Sequence, residues 1–243
     1  MYTAERFYWH ANGLHHEVLH WPRHSRPLLL LLHGWMDCAD SFQALVDALP
    51  TQYDVYALSW RGFGHSDWQQ HGYYERMVML QDLHQFIEHI SPNQPLHLCG
   101  HSMGSMLATQ YAGLFPERIK SLTMAEGFGM PALDNATELQ ARMRRFVQNA
   151  TPNSQHALPS VGFVAEKLQR RNPNMPLDLA YFMATALTHK PENELLYRAD
   201  PKHYLPQAHA YDWHRIAPVW SQLTMPVLWL QGENLPHNHY LSR

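Results

Sequence analysis

Gly100-His101-Ser102-Met103-Gly104 sets a serine between two glycines, each two residues away. An apolar run, Pro95–Gly100, leads into it and a helical pattern, Met103–Phe115, follows. That spacing predicts a sharp strand–turn–helix corner, in which β-carbons on the glycines would collide with neighbouring backbone. Such a corner aims the Ser102 hydroxyl out of the carboxyl edge of a sheet. It also seats the hydroxyl at a helix N-terminus, where the dipole favours developing negative charge. The chemistry this suits is nucleophilic acyl transfer, with Ser102 forming an acyl-enzyme that water then releases. An oxyanion formed on the way needs two backbone donors. The loop His33-Gly34-Trp35, which ends an earlier apolar run, would supply the Trp35 amide, and the Met103 amide is the second expected donor.

Other residues of chemical type read differently. Trp60-Arg61-Gly62-Phe63-Gly64-His65-Ser66-Asp67 is glycine-rich, but it has no Lys-Ser/Thr of a P-loop and opens no helix, so nucleotide binding is excluded. It reads as a tight loop held by charged and hydroxyl side chains. His33 reads as a brace for its loop. His101 adjoins the nucleophile but points away from it, and His15, His16 and His65 read as solvated or loop-bracing.

The elements that must position these groups follow from apolar periodicity. Phe7–His10 and Leu14–Trp21 flank Asn12-Gly13 as a hairpin. Leu28–His33 is a continuous apolar run, as in a strand buried on both faces. Helical spacing over Asp40–Leu49, a strand at Tyr53–Leu58, an amphipathic helix over Tyr74–Ile90 and a strand at Ile119–Ala125 complete a β-α-β-α-β-α-β series around the elbow. This calls for an α/β fold with a parallel sheet and helices on both faces. Residues 130–205 carry helical patterns (Ala136–Asn149, Val161–Arg171, Leu177–Leu187) broken by prolines, with no strand alternation, and read as a helical cap. Its Phe146, Phe163, Tyr181, Phe182 and Met183 suggest an apolar pocket. A helix near Tyr211–Leu223 and a strand at Pro226–Gln231 return to the core.

Composition narrows the class. Of 243 residues, 45% are hydrophobic and 16% charged, which is globular rather than disordered. The net charge of −3 offers no basic face for nucleic acid or an anionic membrane, although 19 histidines would turn the chain cationic below about pH 6.5. Cys38 and Cys99 alone make no disulfide framework, the N-terminus lacks a signal-peptide pattern, and Leu28–Leu32 is far too short to span a bilayer. A soluble, cytoplasmic protein is expected.

The chain resembles the serine hydrolase-like branch of the α/β-hydrolase superfamily, particularly its bacterial members. The resemblance is carried by Leu32-His33-Gly34-Trp35-Met36-Asp37 with Ser41-Phe42, by Arg61-Gly62-Phe63-Gly64-His65-Ser66, and by the segment around Ser102. Phe115-Pro116-Glu117-Arg118, Glu126-Gly127-Phe128-Gly129-Met130-Pro131, Tyr197-Arg198-Ala199-Asp200-Pro201 and Pro226-Val227-Leu228-Trp229-Leu230 extend it over nearly the whole chain. It implies the α/β-hydrolase fold, with a core at 1–129 and 206–243 and an inserted helical cap at 130–205. It further implies hydrolysis of ester-like or related acyl bonds in a small-molecule substrate by a serine triad, without metal or cofactor. Haloalkane dehalogenases and epoxide hydrolases carry Asp where Ser102 stands.

For the triad acid the resemblance offers two positions. Glu126 ends the strand after the nucleophile helix, and Glu233 lies just past the 226–231 strand. Relatives then continue with a helix, a last strand, a loop bearing the catalytic histidine and a final helix. Here the chain ends at Arg243, so the resemblance implies a C-terminally shortened chain lacking that last strand and helix. His237 and His239 are the remaining histidine candidates, and as a metal pair they lack a third ligand. The 226–231 strand is then expected to be an exposed apolar edge through which a homodimer could form. The competing reading is a catalytically impaired or non-catalytic hydrolase-like protein with a binding role.

Overall fold

The computed structural model describes residues 2–23, 26–127, 135–149, 151–207 and 213–233. In chain order the elements are β1 (Glu5–Ala11), β2 (Leu14–Trp21), β3 (Leu28–Leu32), α1 (Gln43–Ala48), β4 (Asp54–Leu58), α2 (Arg76–Ile90), β5 (Leu96–His101), α3 (Met103–Leu114) and β6 (Ile119–Ala125). There follow α4 (Ala136–Gln148), α5 (Val161–Arg171), α6 (Leu177–Leu187), β7 (Thr188–His189), β8 (Leu196–Tyr197), α7 (Trp213–Trp220) and β9 (Val227–Leu230). Among the described residues, seven strands form one sheet in the order β1-β2-β4-β3-β5-β6-β9. The hairpin β1–β2 is antiparallel and β2 pairs antiparallel with β4, while β4, β3, β5, β6 and β9 run parallel. The hairpin turns where Asn12 and Gly13 both take positive φ, 50° and 74°, as a two-residue Asn-Gly turn requires.

The run of leucines in β3 explains its central place. Leu30 and Leu32 face a core shared with α2 and α3, where Leu83, Phe86, Leu107 and Tyr111 are buried. Leu29 and Leu31 face the opposite core with Trp21, Val46 and Val55. Each fully buried leucine contributes roughly 1.5–3 kcal/mol through burial alone, so a strand without polar alternation belongs in the middle of the sheet.

Three expectations need correction. The stretch expected as one helix over 40–49 is a 3-10 turn at Ala39–Phe42 followed by a short α1, because Phe42 and Val46 turn toward the core while Leu49 leaves in an extended conformation. The region from 135 to 205 contains a two-stranded antiparallel ribbon, β7 with β8, whose two-residue strands are too short to show alternation. His16, read as a solvated or loop-bracing residue, is fully buried. It lies 5.6 Å from the Trp9 ring and 3.8 Å from the Asp82 carboxylate, because its side chain points to the face of the sheet on which α2 packs.

At the other end of the sheet, β9 is an edge strand among the described residues. Val227, Leu228, Trp229 and Leu230 are 45–54% exposed, as expected for an apolar edge. No helix among the described residues is long and apolar enough to cross a membrane.

Candidate active site

β5 delivers the chain to the elbow and α3 carries it away. Ser102 stands between them at φ 50° and ψ −116°, a left-handed conformation that costs a non-glycine residue about 1–3 kcal/mol. The corner is tied to the end of β6. The Ser102 amide donates to the Ala125 carbonyl at the end of β6 (2.8 Å), and the Ala125 amide donates to the Ser105 hydroxyl (3.0 Å). Close approach explains the flanking glycines. A β-carbon on Gly100 would lie 2.5 Å from the Gly104 carbonyl group, and one on Gly104 would lie 2.1 Å from the Leu32 carbonyl oxygen. The helix therefore sits directly on β3.

The same packing brings the loop after β3 to the nucleophile. A β-carbon on Gly34 would fall 3.2 Å from the Ser102 β-carbon. His33 braces this loop, as its sequence position suggested. The ring is fully buried, Nδ1 donates to the Gly34 carbonyl (2.7 Å) and Nε2 accepts from the Trp60 amide (3.0 Å). Burial lowers its pKa to about 3, so it is a neutral strut rather than a base. Trp35 is half exposed and meets the edge of the Tyr204 ring at 5.2 Å.

The glycine-rich loop after β4 is tied down by charged and hydroxyl side chains. Arg61 forms a bidentate pair with the buried Asp82 (both contacts 2.6 Å). The Ser66 hydroxyl donates to the Ser59 carbonyl and accepts from the Glu17 amide (2.7 and 2.9 Å). On this loop rests the segment that follows β8. His203 is stacked between Phe63 and Tyr74 (3.7 and 3.8 Å) and its pKa falls to about 3 through burial. The Tyr74 hydroxyl donates to Asp200 (2.7 Å), and the Asp200 amide donates to the Gly62 carbonyl (2.8 Å). No local signal marks this clamp, because its partners are more than 120 residues apart.

Glu126, the first acid candidate, follows β6 at φ 55°, and its Oε1 accepts from the Gly232 amide (3.0 Å) just past β9. The two positions considered for the acid thus converge on one end of the sheet, with Glu233 exposed beside Gly232. The Ser102 hydroxyl makes no hydrogen bond among the described residues. His101 is exposed beside it. His237 and His239 lie outside the described residues, as do Phe128–Pro131 of the segment after Glu126. Among the described residues no group of three or more His, Cys, Asp or Glu could hold a metal.

Above the elbow, a cavity of about 600 Å³ runs between the loop Trp35–Asp37, with His101, and the helices α5 and α6, which contribute Val164, Leu168 and Met183. A second hollow of about 600 Å³ shares Met36, Tyr197 and Tyr204 with it. Of the cap residues expected to line a pocket, Met183 does. Phe146 packs on Tyr73 (4.7 Å), and Tyr181 with Phe182 lies in a different hollow beside Asp40 and His65.

A family described as alpha/beta hydrolase fold matches residues 27–236. A serine hydrolase-like protein of Danio rerio is 29% identical over 129 residues, covering 53% of this chain and 39% of that protein. A monoacylglycerol lipase of Xenopus laevis is 33% identical over 101 residues, 41% of this chain and 30% of that one. The chain thus spans about a third of the length of these curated relatives. Among solved structures, a thioesterase domain from the curacin biosynthetic pathway superposes with a TM-score of 0.82 at 22% identity, covering 97% of this chain and 86% of that one. At that identity the likeness shows the fold alone.

Proposed function

The chain belongs to the alpha/beta hydrolase fold family, whose members similar to it include esterase- and lipase-like proteins, and on that footing we propose that it is a serine hydrolase of acyl esters. The observation that carries this reading is Ser102 itself. Its backbone is held in a left-handed conformation at the mouth of α3, while its hydroxyl has no structural hydrogen bond among the described residues. Strain of that size is kept where the side chain it presents is used.

In this mechanism Ser102 attacks the acyl carbon, and the amides of Trp35 and Met103 hold the oxyanion. Loss of one such donor typically raises a barrier by about 2.7–4 kcal/mol. A histidine takes the Ser102 proton and returns it to the leaving alcohol; His237 and His239 are the candidates. Glu126 is the acid that orients this imidazole, with Glu233 as the alternative. Water then releases the acyl group. The cavity beneath α5 and α6 would take a small to medium acyl chain.

The test is turnover of a chromogenic butyrate ester by wild type beside Ser102→Ala, Glu126→Gln, His237→Ala and His239→Ala. Loss in Ser102→Ala and in one histidine variant supports the triad. Wild type without turnover points to the non-catalytic reading.

A further inference from the structure

We propose that the substrate is an ester whose acyl chain ends in a carboxylate, held by Lys167 and Arg171 in the cavity above Ser102. This rests on the reading of Ser102 as the nucleophile and names what its cavity selects. Val164, Lys167, Leu168 and Arg171 follow at i, i+3, i+4 and i+7 along α5, so they share one face of the helix, and all four line that cavity. Val164 is 2% exposed, whereas Lys167 and Arg171 are exposed. The face is apolar where it is buried and cationic where it meets solvent. From α6 come Leu179, Met183 and Leu187, spaced every four residues and apolar throughout. Such a lining suits a methylene chain between apolar side chains, with an anionic group at the cationic rim.

The partners of the charges on α5 point the same way. Arg170 pairs with Glu166 (3.7 Å), and neither lines the cavity. Lys167 lies over the Phe163 ring (4.8 Å), and neither Lys167 nor Arg171 forms an ion pair among the described residues. Arg170 and Arg171 share the last turn, where the helix dipole favours cations, but only Arg171 faces the cavity. Its charge reaches Tyr197, which lines the same cavity, and there opposes the rise in the Tyr197 pKa that burial causes. Asp37 is the only carboxylate lining the cavity among the described residues, and its Oδ1 accepts from the Cys38 amide (2.9 Å) within its own loop. A guanidinium fork can take both oxygens of a carboxylate while an ammonium adds a point charge. The net charge of −3 repels anions in general, so a preference for one must arise locally.

Matched ester pairs test it. Wild type is assayed on the nitrophenyl half-esters of succinate, adipate and suberate, each beside the neutral nitrophenyl ester of butyrate, hexanoate or octanoate. For the chain length that spans the cavity, kcat/KM of the half-ester should exceed that of its neutral partner about tenfold. Lys167→Met with Arg171→Met should bring this ratio to about one or below, because the remaining net charge repels anions. Lys167→Arg should keep the preference, and so should Arg170→Met, which alters the last turn on its other side. Binding is read separately, by calorimetry on Ser102→Ala with the methyl half-esters of the same diacids and the matching neutral methyl esters. At least one half-ester should bind about tenfold more tightly than its neutral partner, and the double variant should abolish the difference. If no ester turns over yet a half-ester binds through these two cations, the hydrolase reading fails and the carboxylate site stands. The inference is overturned if neutral esters turn over and bind as well as every half-ester, if the double variant keeps the wild-type ratio, or if Arg170→Met alone abolishes it.

Discussion

Replacing Gly104 by alanine should damage both the fold and the site, to an extent set by the approach of α3 to β3. The new β-carbon would stand 2.1 Å from the Leu32 carbonyl oxygen, 2.6 Å from its carbon and 2.7 Å from the His33 carbonyl oxygen. Contacts of a real β-carbon stop at 3.0 Å, so α3 and β3 must separate by about 0.9 Å. All three obstacles are backbone, so no side chain can yield. Overpacking of this kind costs about 1–3 kcal/mol, here toward the upper end. The same displacement moves Ser102 away from the Gly34–Trp35 loop. A misplacement of roughly 1 Å between reacting groups can cost about 10²-fold in rate. We expect urea unfolding, followed by tryptophan fluorescence, to show a loss of about 3 kcal/mol. Ester turnover per folded molecule should fall about 10²-fold. A Gly104→Ala protein that keeps wild-type stability and turnover would refute the packing of α3 on β3.

Stability should also fall steeply in acid. His33 and His203 are buried neutral with pKa values near 3, while the unfolded chain binds their protons near pH 6.5, so the unfolded state gains protons first as pH drops. Between pH 6 and 5 the two together should remove roughly 2 kcal/mol, read from urea midpoints, and His203→Gln should flatten the slope; a midpoint unchanged over that range contradicts the burial. Asp82→Ala strands the Arg61 guanidinium, which is 4% exposed, and should cost about 3–5 kcal/mol by the same assay, whereas a loss under about 1 kcal/mol would show the pair to be solvated. At the sheet edge, the exposed apolar β9 should make the chain self-associate with rising concentration in light scattering, and Leu228→Lys should suppress this; a wild type monomeric at every concentration speaks against strand pairing there.

The sheet and the elbow were legible because local signals fixed them. Leu28–Leu32 has no polar alternation and can only be a strand covered on both faces, and Gly100 and Gly104 bracket a serine where only glycine fits. His33 was legible as a brace from its place at the end of that strand. What stayed hidden depends on partners far apart in the chain. Nothing near Asp200 announces Tyr74, and nothing around His16 shows that Trp9 of β1 and Asp82 of α2 will enclose it. Leu139, Met143 and Val147 have the spacing of a core-facing helix, and only the tertiary placement shows which side meets the protein. The acid positions at 126 and 233 look like alternatives in sequence, yet β6 and β9 are neighbours and bring them to one place.

The most direct test of the central claim is covalent. The chain is incubated with a fluorophosphonate, its intact mass is measured, and the modified peptide is sequenced. A nucleophile activated at the elbow takes up one phosphonyl group on Ser102, and Ser102→Ala takes up none. An unmodified wild-type chain, or a label on any residue other than Ser102, would contradict it.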